Sequence, residues 1–258
     1  MNPIEFSIVP AKDGFEWVKV SLRLFRAQWL RYTSMAALFL LIMQFGSFIS
    51  GGLLVVFLKP LLSVGFLAAA WHHERGELPE TKHLFAGFKS NIKALLPLGV
   101  VFMLGVFAAI WFAAAINGIE LEQMLPQDGK TKLAEKDALA FMLTAIIFTL
   151  PVNAALWFAP ALIVFSDASF TQALSTSLRA WLSNFLAVLT YGITIFVLIL
   201  IVLIPLSPIL YAVGGSAQSL IAMLVALPLT AVVMVSDYVS YRRVFHRNET
   251  LQPLSTQR

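Results

Sequence analysis

The residue with the clearest potential for chemistry is a lysine inside a long apolar stretch. Lys59 precedes Pro60, and an ionisable residue within a hydrophobic segment is by default a candidate functional site. Counted from Gly52 at the helical rise per residue, Lys59 lies only about 10 Å deep. Its long aliphatic stem therefore also suits snorkelling to the membrane surface. The sequence leaves both interpretations open.

A second candidate is a polar pocket formed where prolines interrupt apolar stretches. Pro151, Asn153 and Pro160 interrupt the fourth stretch, and Pro228 interrupts the sixth. Broken helices are typical of transporter binding sites, although prolines also serve as packing kinks in membrane helices. The sequence predicts a solute or lipid pocket built from Lys59, Pro151, Asn153 and Pro228, with Asn153 as its ligand.

Two aspartates near the ends of apolar stretches have simpler explanations. Asp167 comes before a helical pattern, where a carboxylate caps a helix N-terminus. Asp237 precedes Arg242 and Arg243, which favours a local ion pair over a proton relay. At the depths assigned to these residues, neither aspartate is expected to meet Lys59.

The remaining titratable clusters indicate no catalytic or metal centre. His72, His73 and Glu74 are consecutive and His83 follows them, but adjacent histidines point away from each other on a helix. There is no HExxH spacing, no Gly-x-Ser-x-Gly elbow and no GxxxxGK[ST] loop. The absence of cysteine excludes thiolate sites. We predict no enzyme activity, no catalytic residue, no cofactor and no metal.

The elements that position these residues belong to a membrane protein. Hydrophobic residues make up 59% of the 258 residues, charged residues make up 12%, and the mean hydropathy is +0.82. A soluble domain contains about 25% charged residues, so this chain has too little charge to cover a water-facing surface. The chain is predicted to be an integral membrane protein with a retained first span.

Six stretches are long enough to cross the bilayer, since a span needs about 20 apolar residues. Short connections join them into three helical hairpins. The predicted spans are Thr33–Ser50, Leu53–Trp71, Leu95–Ile116, Ala138–Phe165, Leu186–Tyr211 and Ala217–Tyr238.

A repeated stripe precedes each hairpin. Its positions run i, i+4, i+7 and i+11, which places them on one helical face about 60° wide. An amide residue stands just before the last position each time: Gln28, Asn91 or Asn184. Basic flanks predict an amphipathic helix lying in the membrane interface, either as an anchor for the hairpin or as a collar facing lipids and partners. The stripe positions are Val18, Leu22, Phe25 and Trp29; Thr81, Phe85, Phe88 and Ile92; and Leu174, Leu178, Trp181 and Phe185.

These patterns predict an all-α polytopic bundle made of three parallel repeats, each an interfacial helix followed by a transmembrane hairpin. A single membrane domain covers residues 1–258, with repeat units 15–73, 80–166 and 170–245 and a flexible cytoplasmic tail at 246–258. An odd number of parallel hairpins is able to surround a central space or to pack solidly.

The lysines and arginines predict the orientation. Most of them lie in the segments before the hairpins and in the tail, whereas Lys130, Lys132 and Lys136 lie on the opposite side. By the positive-inside rule both termini are expected in the cytoplasm. Topology thus explains the net charge of +4, and no nucleic-acid partner is expected.

Three segments resemble a known group of proteins. They are Trp17–Trp29 (WVKVSLRLFRAQW), Gly65–Phe88 (GFLAAAWHHERGELPETKHLFAGF) and Trp157–Trp181 (WFAPALIVFSDASFTQALSTSLRAW). The chain resembles an uncharacterised family of six-span bacterial inner-membrane proteins and, more distantly, the membrane domain fused to some glycerophosphodiester phosphodiesterases. The resemblance implies location and topology, and it implies no phosphodiesterase activity.

The function expected from the sequence is therefore non-enzymatic. We expect a multi-pass protein of the bacterial inner membrane that organises lipids or partner proteins. The alternative is a transporter of a small solute or lipid, with its site between broken spans four and six. The expected partners are membrane lipids, with other membrane proteins as further candidates.

Overall fold

The computed structural model describes residues 4–50, 52–120 and 135–246, and this part of the chain is all α, without a strand. It consists of ten α-helices and one 3₁₀ turn. They are α1 (Asp13–Ala27), α2 (Trp29–Ser50), α3 (Leu53–Glu74), the 3₁₀ turn (Thr81–Phe85), α4 (Ala86–Lys89), α5 (Ile92–Ile116), α6 (Glu135–Leu156), α7 (Ala159–Ser166), α8 (Phe170–Ser183), α9 (Phe185–Val213) and α10 (Gly215–Phe245).

Six helical segments in the described part of the chain are long and apolar enough to cross a membrane. Their bounds are Trp29–Ile49, Leu53–Glu74, Ile92–Ile116, Lys136–Ser166, Phe185–Val213 and Gly215–Phe245. Six spans were predicted at these places, and that prediction is confirmed. Most of the predicted tail and much of the loop between α5 and α6, with Lys130 and Lys132, lie outside the described residues.

The fourth span is broken between α6 and α7, and a serine hydroxyl occupies the break. Ser177 Oγ of α8 accepts a hydrogen bond from Phe158 N at 2.9 Å and donates one to Ala154 O at 3.0 Å. These two backbone groups would bond to each other in a continuous helix. A side chain inserted into the ladder causes such a break, and Pro160 just beyond it cannot donate to Leu156.

The other prolines do not interrupt their helices. Pro228 lies inside the continuous helix α10, and Pro205 and Pro208 lie inside α9. Pro151 likewise lies within α6. The prediction that Pro151 and Pro228 interrupt their spans is therefore wrong. Proline removes one backbone donor, and a long helix in a membrane tolerates that loss.

In the first and third striped segments, the first three stripe positions lie on one α-helix, α1 or α8, and the last position, Trp29 or Phe185, begins the next helix. The second segment differs. It consists of the 3₁₀ turn and the four-residue α4, which Ser90 and Asn91 separate from α5. The prediction of one helix there is therefore wrong, and the segment lies close against α3. A Cβ on Gly87 would lie 2.2 Å from Leu61 O.

The amide that recurs at the same position of each stripe lies at a helix boundary all three times. Gln28 follows α1, and Asn91 caps α5 by accepting from Ala94 N at 3.3 Å. Asn184 is buried between α8 and α9 and fastens the N-terminal segment. Its Oδ1 accepts from Val9 N at 2.8 Å, and its Nδ2 donates to Ser7 O at 3.2 Å and to Ala180 O at 2.9 Å.

The aspartate before α8 does not cap that helix as predicted. Asp167 adopts a left-handed conformation with φ 49° at the end of α7. The N-cap of α8 is Ser169, whose Oγ accepts from Gln172 N at 3.4 Å. A serine at this position supplies the same acceptor as a carboxylate, and Asp167 is exposed.

The striped segments pack on the hairpins in a consistent order. Helix α1 packs on α9 and α10, the 3₁₀ turn and α4 pack on α3, and α8 packs on α6. Helix α2 packs on α3 and α10, while α5 packs on α3 and α6. Each striped segment therefore contacts the second helix of a hairpin other than the one it precedes.

Nearly all buried side chains lie at the end of the bundle that carries the striped segments. The largest fully buried ones include Trp17, Tyr32, Phe66, Phe158 and Tyr238. We name this end the packed half, which comprises residues 13–39, 60–74, 81–99, 154–191 and 231–245. The other end is the open half, where most large apolar side chains are exposed, and it comprises residues 40–49, 52–58, 100–116, 136–150 and 192–230.

Candidate functional site

A cavity of about 340 Å³ lies among α3, α5, α6, α7, α9 and α10, where the packed half meets the open half. This volume is at the lower end of ligand-binding pockets, which span about 300–1,000 Å³. Its walls are apolar apart from a few polar groups. The lining residues are Lys59, Pro60, Ser63, Leu67, Phe102, Asn153, Leu156, Trp157, Pro160, Tyr191, Gly192, Ile195, Val233, Met234 and Asp237.

Two groups of opposite charge line this cavity. Lys59 comes from α3 and Asp237 from α10, and both residues are half-buried. Lys59 Nζ lies 4.7 Å from the centroid of the Phe102 ring, a cation–π contact. The two charges influence each other electrostatically, but no direct ion pair joins these two described residues. Each group therefore has hydrogen-bonding capacity left for a ligand.

Three further polar side chains on the wall are held by hydrogen bonds. Asn153 Nδ2 donates to Thr149 O at 3.0 Å. The Tyr191 hydroxyl lies 2.7 Å from Ser236 Oγ, and Trp157 Nε1 donates to Ser240 Oγ at 3.3 Å. The Trp157 and Tyr191 rings meet edge to face with centroids 5.4 Å apart. These bonds fix the shape of the wall around the two charges.

An aromatic cluster lies beyond the cavity toward the end of the packed half. Trp71 stacks on Phe165 at 6.2 Å, and Phe165 stacks on Tyr241 at 5.6 Å. Tyr238 meets Phe165 edge to face at 6.1 Å. Trp71 belongs to the second span, Phe165 to the fourth, and Tyr238 and Tyr241 to the sixth, each after the residues of that span that line the cavity. The ends of these three spans therefore converge at the cluster. None of these four residues lines the cavity itself.

The structure brings some of the predicted site residues together and separates others. Lys59 and Asn153 both line the cavity, whereas Pro151 and Pro228 do not. Asp237, which was not predicted as a site residue, also lines it, although no direct ion pair joins it to Lys59. The local ion pair predicted for Asp237 with Arg242 or Arg243 does not form among the described residues, and Arg242 Nε instead contacts Glu74 Oε2 at 3.4 Å.

Sequence reasoning missed Tyr191 and Gly192 as wall residues. No local pattern identifies them, because α9 is apolar throughout its length. Asp237 carried a usable signal, since it is an acidic residue within a predicted span. We did not predict Asp237 as a site residue because we expected it to pair with a nearby arginine.

The histidine-rich segment forms a separate cluster at the end of α3. The rings of His72 and His83 are stacked with centroids 4.5 Å apart and planes 9° apart, and His72 Nδ1 contacts Glu77 Oε2. His83 Nδ1 accepts from Glu80 N at 3.1 Å. Burial, and to a lesser degree the neighbouring His72, lowers the pKa of His83. Within the described ranges no group of three or more such side chains has metal-binding geometry.

The stripe residues divide between the interior and the surface. Val18 and Trp181 are buried in the core, and Leu22, Phe25 and Leu174 are half-buried. The others are exposed to different degrees, and the last position of the first stripe, Trp29, is 59% exposed. The exposed members of this set are Trp29, Thr81, Phe85, Phe88, Ile92, Leu178 and Phe185.

Comparison with other proteins identifies the location of the chain. No protein-family model and no solved structure matches it. A protein of Burkholderia thailandensis named a probable inner membrane protein is 31% identical over 258 residues, and the match covers 95% of this chain and 95% of the relative. Together with the six apolar helices, this relative indicates a multi-pass protein of the inner membrane. The chain belongs to the same bacterial inner-membrane protein family as this relative.

Proposed function

We propose that this protein is a non-enzymatic binding protein, and a transporter, for a small polar or amphipathic molecule that occupies the cavity beside Lys59, Asn153 and Asp237. The observation that carries the proposal is a cavity within the spans that holds two opposite charges without a direct ion pair. Of the two functions expected from the sequence, this favours the solute or lipid transporter.

The cost of keeping charges in a membrane segment supports a ligand role. A lysine or aspartate at the centre of a span opposes insertion by about 3 kcal/mol. An ion pair recovers part of this cost because the two charged groups contact each other directly. Lys59 and Asp237 form no such direct ion pair. A bound molecule with complementary charges would satisfy both groups.

The chemistry of the wall supports binding rather than catalysis. The Ser63 hydroxyl donates to Pro60 O at 2.8 Å, and no histidine lines the cavity to act as its base. Nucleophilic catalysis requires a hydroxyl or thiol within hydrogen-bond reach of a general base. Asn153, with its amide group, is a ligand rather than a nucleophile.

The packing order supports three parallel repeats around this cavity. Each striped segment contacts the second helix of the preceding unit: α1 contacts α10, the 3₁₀ turn contacts α3, and α8 contacts α6. This order is cyclic, and the second helix of each unit lines the cavity. In the same proposal the chain is one domain, with units 15–73, 80–166 and 170–245. The distant likeness to the membrane domain of glycerophosphodiester phosphodiesterases concerns this architecture alone.

The proposed orientation places both termini and the packed half in or near the cytoplasm. Exposed basic residues of the striped segments, such as Lys19, Arg23 and Lys89, would then lie at the anionic cytoplasmic leaflet. Reporter fusions at Gly129 and after Arg258 are expected on opposite sides of the membrane. Two reporters on one side would contradict this topology.

Organisation of lipids or partner proteins is the second candidate function. It is favoured by large aromatic side chains exposed where striped segments meet spans, above all Trp29 and Phe185. Such residues anchor helices at the membrane interface. This role is compatible with ligand binding in the cavity.

The test of the main proposal is identification of molecules that remain bound in native nanodiscs. Mass spectrometry compares the wild type with Lys59→Gln and Asp237→Asn. Lys93→Gln and Asp137→Asn are matched controls, because these residues are exposed outside the cavity. We expect a retained species that is depleted about tenfold or more in both cavity variants, given the strength of hydrogen bonds to charged groups. An identical set of bound molecules in all five proteins would overturn the proposal.

A further inference from the structure

The helices around the cavity form a wall with one weak seam. Neighbouring pairs α3 and α5, α5 and α6, and α10 and α3 pack extensively, and α9 and α10 pack on each other over a shorter length. Helices α6 and α9 both line the cavity, yet they do not form a comparable contact. The Trp157 and Tyr191 rings meet at one point of this seam. The cavity is not fully enclosed, and α6 and α9 are the neighbouring pair on its wall with the least contact.

A glycine marks the seam. Gly192 lines the cavity on α9, and a Cβ built on it would meet no atom within 4 Å. Other helical glycines fit closely against a neighbour: a Cβ on Gly14 would lie 2.0 Å from Ala187 O, and one on Gly99 would lie 2.4 Å from Phe57 O. Gly192 therefore faces open space at the edge of the cavity.

The surfaces beside the seam are apolar. Ile193 and Phe196 of α9 and Ile146 and Leu150 of α6 are all exposed. Both helices are membrane spans, so these side chains meet acyl chains rather than water. A molecule that passes the seam must therefore combine a polar part for the cavity with an apolar part for the seam.

The size and charge of the cavity narrow this molecule further. A volume of about 340 Å³ accommodates a headgroup but not two acyl chains as well. Lys59 provides a cation for a phosphate, and Asp237 provides an anion for an ammonium group. A headgroup with one phosphate and one primary amine matches both.

We propose that the cavity binds the headgroup of an aminophospholipid, with its acyl chains leaving between α6 and α9 beside Gly192. This inference rests on the proposed function and specifies its ligand. Lys59 would bind the phosphate and Asp237 the ammonium group. A phospholipid that lacks the amine would bind to Lys59 alone and hence more weakly.

Native mass spectrometry of the detergent-purified protein with defined lipids tests the headgroup. Phosphatidylethanolamine and phosphatidylglycerol are offered as competing probes with identical acyl chains. The wild type is expected to prefer the amine-bearing lipid by about tenfold, because a hydrogen bond between charged groups has about that effect. Asp237→Asn is expected to abolish the preference, while Lys59→Gln is expected to weaken binding of both lipids. Equal binding of the two lipids to the wild type would overturn the inference.

A second arm tests the seam with soluble phosphoethanolamine as the probe. Gly192→Phe is expected to exclude the lipid by filling the seam and to leave binding of the soluble probe unchanged, which also shows that the variant is folded. Ile201→Phe, nine residues further along α9 and 64% exposed outside the cavity, is the control and is expected to bind both probes. Lipid binding to Gly192→Phe at the wild-type level would overturn access through the seam.

The same probe separates failure of the inference from failure of the proposed function. If phosphoethanolamine binds in a manner dependent on Lys59 and Asp237 while the lipids do not, the cavity is a solute site and only the lipid inference is overturned. If none of the probes binds, and the cavity variants retain the same molecules as the wild type in nanodiscs, both are overturned.

Discussion

The packed half and the open half are opposite ends of the same apolar spans. They differ in how much of their apolar surface is buried within the protein. In the most apolar 18-residue stretch of α3, 50% of the residues are buried within the protein. In the corresponding stretch of α9 the buried share is 0%, although its mean hydropathy is higher, 2.9 against 2.2. In a bilayer, acyl chains solvate apolar side chains as well as a protein interior does. Hydropathy therefore identifies a span and does not identify which end of it packs.

Close approach of backbones is what distinguishes the packed half. Gly14 lies against Ala187, and Gly65 lies against Leu84, where an added Cβ would come within 2.3 Å of Leu84 Cα. Small residues allow helices in membranes to gain van der Waals contact. In the open half, Gly192 lacks such a neighbour, so the two halves can be compared by matched substitutions.

The largest expected difference comes from removing one phenyl ring from each half. Phe66 is fully buried and meets Phe39 edge to face, whereas Phe48 is 90% exposed. Phe66→Ala is expected to lower the free energy of unfolding by about 3–5 kcal/mol, because it leaves a cavity. Phe48→Ala is expected to change it by less than about 0.5 kcal/mol. Unfolding in mixed detergent micelles measures both, and equal effects would contradict the division into two halves.

The second comparison adds one methyl group to a glycine in each half. Gly14→Ala places a Cβ 2.0 Å from Ala187 O, and overpacking against backbone is expected to cost about 3 kcal/mol. Gly192→Ala meets open space and is expected to stabilise the protein by up to about 1 kcal/mol through helix propensity. Thermal unfolding in detergent distinguishes the two signs. A stabilising Gly14→Ala would show that α1 is not held tightly on α9.

The third comparison concerns two amides that occupy matching positions in the repeat. Asn184→Ala leaves Val9 N without its partner, and we expect a loss of about 2 kcal/mol together with faster amide hydrogen exchange at residues 4–10. Asn91 is exposed and caps one helix, so Asn91→Ala is expected to cost about 1 kcal/mol without that change in exchange. Unchanged exchange at residues 4–10 in Asn184→Ala would contradict the fastening role.

The smallest expected effect depends on pH at the edge of the packed half. The pKa of His83 in the folded protein lies below its ordinary value of 6.5, mainly because the residue is partly buried. Stability is therefore fully present above pH 6.5 and decreases as the pH falls toward the folded pKa, since the unfolded chain takes up the proton first. Protonation of Nδ1 also breaks the bond from Glu80 N. The neighbouring His72, Glu77, Glu80 and Lys82 share this environment.

Hydrogen exchange over residues 80–90 at pH 5 and pH 7.5 checks this prediction. After correction for the pH dependence of intrinsic amide exchange, we expect lower protection factors at pH 5 than at pH 7.5 in the wild type and little difference in His83→Gln. An equal response in both proteins would assign the effect to another group.

Much of the fold could be predicted from the sequence, because the spans and their boundaries follow from apolar length, as at Leu53 and Ile116. The amides Asn91 and Asn184 also coincide with helix boundaries, as their fixed position in the stripe indicated. The position of Lys59 and Asp237 on one cavity wall could not be predicted, because depth within single spans says nothing about how α3 and α10 lie side by side. A break near Pro160 was predicted, and the fourth span does break there. The part that Ser177 has in this break was hidden, since that residue comes from another helix.

The fastening of the N-terminal segment has a consequence for how the chain is assembled. Ser7 and Val9 bond to Asn184, Ser7 N donates to Val244 O at 2.8 Å, and α1 packs on α9 and α10. A ribosome synthesises these partners last. The first helix must therefore wait without its final neighbours while five spans are inserted, and its packing becomes the closing step of biogenesis. A chain truncated before residue 185 would leave that step permanently unfinished.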